Sequence, residues 1–157
     1  MKKFVVLLIC FTGALLFGQT DDDFTIENGE LEEYRGAGGT VVIPGGISGI
    51  DEGAFSGNRD IVAVNIPAGV THIGAYAFRG CERLTAVNLT PGLTAIGEYA
   101  FASCKSLAAI TIPGSVTVIG AGAFSGCTGL YAVIMSRKTR LGRDVFKGAP
   151  VNILYID

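Results

Sequence analysis

Phe55, Phe78, Phe101 and Phe124 lie 23 residues apart, and the same step separates Ile61, Leu84, Leu107 and Leu130 and again Ile50, Ile73, Ile96 and Ile119. Pro44, Pro67 and Pro113 keep the interval too, while Thr90 stands in the remaining slot with Pro91 displaced by one. A fixed period of this length constrains the fold more than composition does. Each unit has an apolar face that it cannot bury alone, so the units must stack and share one core along the stack axis. The chain is therefore expected to be a repeat solenoid, mainly β.

Within each period the pattern is the same. Val64-Asn65-Ile66, Val87-Asn88-Leu89, Ile110-Thr111-Ile112 and Val133-Ile134-Met135 have a period of two, so they read as short strands with the first and third residues inward. Stacked in register they predict a parallel sheet on one face. A second extended piece follows in Val70 to Ile73, Leu93 to Ile96 and Val116 to Ile119, and Gly74, Gly97 and Gly120 are expected at a tight corner that has no room for a Cβ. Ala77-Phe78, Ala100-Phe101 and Ala123-Phe124 are then expected to open a single helical turn that drives Phe into the core, with Cys81, Cys104 and Cys127 closing the coil. Near the start, Asn28-Gly29 separates two alternating runs, Phe24 to Glu27 and Glu30 to Tyr34. This is a strong hairpin signal and predicts a cap over the first coil. The last unit is one residue short and basic, with Arg137, Lys138, Arg140 and Arg143, before a final expected strand from Val151 to Tyr155.

The N-terminus has a different character. Met1-Lys2-Lys3 precedes an apolar run from Phe4 to Phe17 and a small polar stretch from Gly18, the order of a secretory signal peptide. The run is too short to cross a bilayer of roughly 30 Å as a helix. Residues 1–18 are thus read as a signal peptide, 19–39 as an acidic segment with the capping hairpin, and 40–157 as about five repeat units with an irregular last one. An exported protein is expected, periplasmic, outer-surface or extracellular, and not integral to the membrane once the signal is cut. Lys2 and Lys3 are two of the 12 bases, so the remainder carries 14 acids and ten bases. That balance argues against nucleic acid as a partner. Ten acids and two bases lie in 19–75, against four acids and eight bases in 76–157. In a linear stack sequence order becomes spatial order, so the two ends should carry opposite charge.

The unit resembles the leucine-rich repeat of the bacterial surface-antigen class, the BspA-like or treponemal type, whose pattern is L-x-x-[VI]-x-[IL]-P, a [VIL]-x-x-I-G step and an A-F-x-x-C turn. The match covers about residues 40 to 150. The resemblance implies a short right-handed leucine-rich-repeat stack with its parallel sheet on the concave face. It also implies a secreted or surface-exposed protein that binds a protein or other macromolecule, often in attachment to host components.

Catalytic chemistry has little support. His72 is the single histidine and sits at an outward slot with no carboxylate, serine or cysteine marked beside it. The cysteines lack the spacing of a zinc site. Neighbouring coils ~4.8 Å apart would allow a disulfide, but the cysteine slots are those of a core ladder, which favours buried free thiols. No cofactor or metal is expected. The best binding surface is the outward face of the first strands: Ala63, Ala86, Ala109 and Ala132, and beside them Val42, Asn65, Asn88, Thr111 and Ile134. These residues are small or neutral and leave a shallow strip for a partner, although crowding between strands would select small side chains as well. Self-assembly into a homo-oligomer is the alternative, through Arg137, Lys138 and Arg140 or through an open strand bearing Val151, Ile153 and Tyr155.

Overall fold

The computed structural model describes residues 19–156. The segment read as a signal peptide lies outside them. The hairpin pairs β1 (Phe24–Glu27) with β2 (Glu30–Tyr34), antiparallel. Asn28 and Gly29 have φ of 52° and 82°, the two left-handed positions that this turn needs.

From there the chain winds through coils with three sides. The first wall is built from β3 (Gly39–Val42), β5 (Ile61–Asn65), β7 (Ala86–Asn88), β9 (Ala109–Thr111), β11 (Ala132–Ser136) and β13 (Asn152–Ile156). The second wall is built from β4 (Gly49–Ile50), β6 (His72–Ile73), β8 (Ala95–Ile96), β10 (Val118–Ile119) and β12 (Arg140–Leu141). Pairing between coils is parallel and in register: Val64 lies beside Val87, Val133 beside Ile110, and Ile73 between Ile50 and Ile96. Because β2 pairs with β4, the hairpin extends the second wall and makes it a seven-stranded sheet, β1-β2-β4-β6-β8-β10-β12.

The third side corrects one expectation. The Ala-Phe segments form hydrogen-bonded turns, not helical ones. Arg79 N–H donates to Tyr76 O (3.0 Å) and Cys81 N–H to Phe78 O (3.2 Å), but Tyr76 and Tyr99 have φ of 57° and 52°, which a right-handed helix excludes. The Phe amides bond instead to the next coil: Phe78 to Ala100 O, Phe101 to Ala123 O and Phe124 to Val145 O, at 2.7 to 2.8 Å. The turns therefore form a ladder of their own.

Side chains at matching slots stack along the axis. Phe55, Phe78, Phe101 and Phe124 are fully buried, with ring centroids 4.7, 5.0 and 5.2 Å apart and planes within 10° of parallel. Tyr34 and Phe24 continue the column into the hairpin, and Phe146 continues it at the other end. Burying each phenyl contributes about 1.5 to 3 kcal/mol, and the ring contacts add about 0.5 to 1.5 kcal/mol per pair. Beside this column, each buried thiol donates to a phenylalanine carbonyl 26 residues earlier, Cys81 to Phe55, Cys104 to Phe78 and Cys127 to Phe101, at 3.0 to 3.2 Å. The three are free thiols. Burial pushes Cys81 up to about 12 and Cys127 up to about 11, and Cys104 is raised further by burial and the neighbouring thiols. They are packing groups, protonated and unreactive at neutral pH.

The corner glycines are required by the stack and not by an unusual φ. A Cβ on Gly97 would lie 2.6 Å from the backbone of Gly74 and Ala75, and one on Gly120 would lie 2.5 Å from Glu98 N. Backbones of successive coils approach too closely at this corner for any side chain.

Candidate binding face

The first wall is not one continuous sheet. It splits into β3-β5-β7 and β9-β11-β13. Elsewhere on this wall, backbone bonds link each coil to the next: Ile43 N–H to Asn65 O, Ile66 N–H to Asn88 O and Ile112 N–H to Ile134 O. The corresponding bond from Leu89 N–H to Thr111 O is missing, and so is the bond from Ala108 N–H to Thr85 O, whose counterparts are Thr85 to Val62 (2.8 Å) and Tyr131 to Ala108 (3.0 Å). Packing loosens at the same place: Val87 is half-buried, whereas Val64, Ile110 and Val133 are at most 4% exposed. The coil in which this happens is the one where Thr90-Pro91 replaces the regular proline.

A recess of about 470 Å³ opens at the split, lined by Thr85 to Leu89, Ala108 to Thr111, Ala132 and Ile134. No charged side chain lines it. Its walls are methyl and methylene groups, with the Asn88 amide and the Thr85 and Thr111 hydroxyls as polar side chains, and the unpaired Leu89 and Ala108 N–H groups facing the gap between coils. Such a surface can hold a neutral, partly apolar ligand and offer it backbone hydrogen bonds. Nothing in it can act as a general acid, base or nucleophile with an adjacent base.

Of the residues expected to bind, Ala86, Asn88, Ala109, Thr111, Ala132 and Ile134 are brought together in this recess. Val42, 58% exposed, Ala63 and Asn65 lie on the same wall but farther along, on β3 and β5, outside it. Thr85, Ala108 and the Leu89 amide join the site without having been singled out. The displaced proline was their signal, since a slot that breaks pattern marks a coil that packs differently.

The residues expected to serve assembly divide as well. Lys138 and Arg140 are exposed. Arg137 is exposed too, and it lies over the Tyr155 ring, 4.7 Å from its centroid, beside the last strand. That strand begins one residue later than expected, and Val151 and Ile153 are half-buried against the core, while Tyr155 is 39% exposed. His72 has a carboxylate partner after all. Its Nε2 is 3.4 Å from Glu30 of the hairpin, reached by lying flat across Gly49, where a Cβ would come within 2.2 Å of the ring. The ring thus lies between the hairpin cap and the first coil, which the β2–β4 pairing joins. Among the described residues no helix is long and apolar enough to cross a membrane, and no cluster of three His, Cys, Asp or Glu could hold a metal ion.

A solenoid whose coils pair in parallel through two walls, with stacked Phe turns between them and almost no helix, is of the leucine-rich-repeat class. Within that class, the chain belongs to the BspA-type leucine-rich-repeat family, whose sequence profile matches residues 38–154 in six copies. None of the curated protein sequences is a close match. Among solved structures, the leucine-rich-repeat protein of Treponema pallidum is 30% identical with a TM-score of 0.81, over 86% of this chain and 70% of that one. A leucine-rich cell surface protein of Faecalibacterium prausnitzii is 27% identical with a TM-score of 0.73, over 80% of this chain and 34% of that one. The pneumococcal vaccine antigen PcpA shares the fold at 17% identity and a TM-score of 0.70, over 82% and 35%. The chain thus spans about a third of the latter two. Proteins with this repeat are in general binding scaffolds and not enzymes, and protein–protein interaction is the role the family indicates.

Proposed function

We propose that the chain is an exported, surface-exposed binding protein that holds a segment of a partner protein in the recess between β7 and β9. The observation that carries this reading is the coincidence of two features. The strand ladder parts at one place on the first wall, and that place is where the columns of small, neutral side chains run without interruption. Unpaired Leu89 and Ala108 amides beside an apolar floor suit a peptide backbone, which brings its own carbonyls. The description of the structural neighbour from Faecalibacterium prausnitzii as a cell surface protein supports an exposed location.

Panning a displayed peptide library against the chain, with Ala86→Asp/Ala109→Asp as the counter-selection, tests the site. Two carboxylates on the recess floor should weaken the selected peptides at least about a hundredfold, since each buried unpaired charge costs several kcal/mol. Circular dichroism should not change, because both positions are exposed. Peptides that bind both proteins equally would move the site off this wall. Protease treatment of intact cells, compared with lysed cells, tests the location.

A further inference from the structure

Followed around the coil, the boundary between the turn of the stack that holds β7 and the turn that holds β9 is stitched on every side but one. Ser106 N–H donates to Glu82 O at 3.1 Å where the chain enters the first wall, and Gly92 N–H donates to Ser115 Oγ at 3.3 Å just past the proline corner. On the second wall Thr117 N–H donates to Thr94 O and Gly120 N–H to Ile96 O, both at 2.8 Å. On the third side Tyr99 N–H donates to Ala121 O, Phe101 N–H to Ala123 O and Ser103 N–H to Ser125 O, at 2.8 to 2.9 Å. The open stretch is confined to residues 85–89 and 108–111, with a closed seam on either side of it.

Within that stretch the parts of a closed wall are all present. Leu89 N–H has Thr111 O across the gap and Ala108 N–H has Thr85 O, the acceptors that their equivalents use in the neighbouring coils. Val87 is half-buried and would be covered on closing, as Val64 and Val133 are. The outward Ala86 and Ala109 carry nothing bulky enough to wedge the strands apart. Against closure, Thr90 Oγ1 donates to Pro67 O at 3.2 Å and holds the end of β7 to the coil before it, while water can satisfy the two amides in the open wall. Opposing contributions of one or two hydrogen bonds each are small, which is the condition for two populated states.

We propose that this stretch of the first wall is a two-state latch. In the open state, the one in the structure, the recess exists and the Leu89 and Ala108 amides are free to bond a partner. In the closed state β7 and β9 pair, both amides bond within the stack and the recess is lost. The second wall and the third side stay bonded in both states and act as the hinge. A partner segment binds the open state and shifts the population toward it; this consequence, unlike the motion itself, rests on the recess being the peptide site proposed above.

Amide relaxation dispersion on the full chain without a partner reads motion on the microsecond-to-millisecond scale, and hydrogen exchange extends the reading to slower opening. Leu89 and Ala108 should move between two environments at one shared rate, while Thr94, Phe101 and Thr117 stay quiet. Thr90→Val removes the hydroxyl tie from a residue outside the recess lining. It should raise the closed-to-open ratio about twofold to tenfold, the worth of one hydrogen bond. A peptide that panning recovers on the native chain and that Ala86→Asp/Ala109→Asp rejects should quench the motion at both amides. A wall without motion, unequal rates at Leu89 and Ala108, motion that spreads over the second wall, a ratio that Thr90→Val leaves unchanged, or a recess-dependent peptide that does not quench it would each overturn the latch. Motion confined to this stretch with no recess-dependent peptide recovered would uphold the latch and sink the reading of the recess as a peptide site.

Discussion

The same 23-residue text builds two walls that behave differently. The second wall is unbroken from β1 to β12, with only two residues per strand in each coil. The first wall has longer strands, up to five residues, and still parts in the middle. Strand length therefore does not decide continuity. What distinguishes the second wall is a set of local locks repeated in every coil. The corner glycines let backbones close up, and a column of threonines bonds each coil to the one before: Thr71 to Ser48 O, Thr94 to Thr71 O, Thr117 to Thr94 O and Thr139 to Val116 O, at 2.8 to 3.2 Å. The first wall has fewer such locks, and it parts beside the coil in which the proline is displaced by one residue at Thr90-Pro91. The firm wall serves as scaffold, and the wall that yields carries the recess.

The largest effect should come from removing what both walls lean on. Phe101 sits mid-column between Phe78 and Phe124 with no exposure. Phe101→Ala should cost about 3 to 5 kcal/mol, read by urea unfolding, and in a stack held by nearest neighbours it should divide the transition into two. A single cooperative transition with a small shift would mean that the walls hold the stack without the column.

A smaller effect should separate the walls. Gly97→Ala places a methyl 2.6 Å from the backbone of Gly74 and Ala75, against atoms that cannot swing away. It should cost about 1 to 3 kcal/mol and speed amide exchange along β6 and β8. Gly114→Ala, in the link from first wall to second, meets nothing within 4 Å and should be neutral or slightly stabilising. Equal effects at the two positions would deny the second wall its special closeness.

These comparisons also mark what the sequence could disclose. The inward slots were legible because identical coils bury identical positions: Ile73, Leu84, Ile96, Phe101 and Cys104 are all at most 1% exposed. The outward columns of Ala86 and Ala109 were legible by subtraction. The His72 to Glu30 contact was not, because it joins positions 42 residues apart through the hairpin's place above β4, which no periodicity encodes. The form of the Ala-Phe turn was not legible, because an Ala-Phe pair is compatible with a helix, whereas the left-handed Tyr76 and Tyr99 and the bonds to the following coil belong to the stack alone. The recess lay between these cases. Pro91 stood visibly out of step, but its consequence depends on whether Leu89 and Thr111 can still meet across two coils.

That dependence gives the subtlest test. Thr90→Pro/Pro91→Ala returns the proline to the slot held by Pro67 and Pro113, where φ is fixed near −65°. The change removes the Thr90 hydroxyl bond to Pro67 O (3.2 Å) but no backbone bond, since the Thr90 amide donates to no described acceptor. The net gain in stability should be no more than about 0.4 to 1 kcal/mol, from the stiffer unfolded chain. The informative change is local. With β7 drawn back beside β9, Leu89 N–H should find Thr111 O, its hydrogen exchange should slow about tenfold or more, and peptide capture should fall as the recess closes. Leu89 exchange that stays fast would show that the displaced proline accompanies the parting of the wall without causing it, and would move the cause to the small side chains of β7 and β9 themselves.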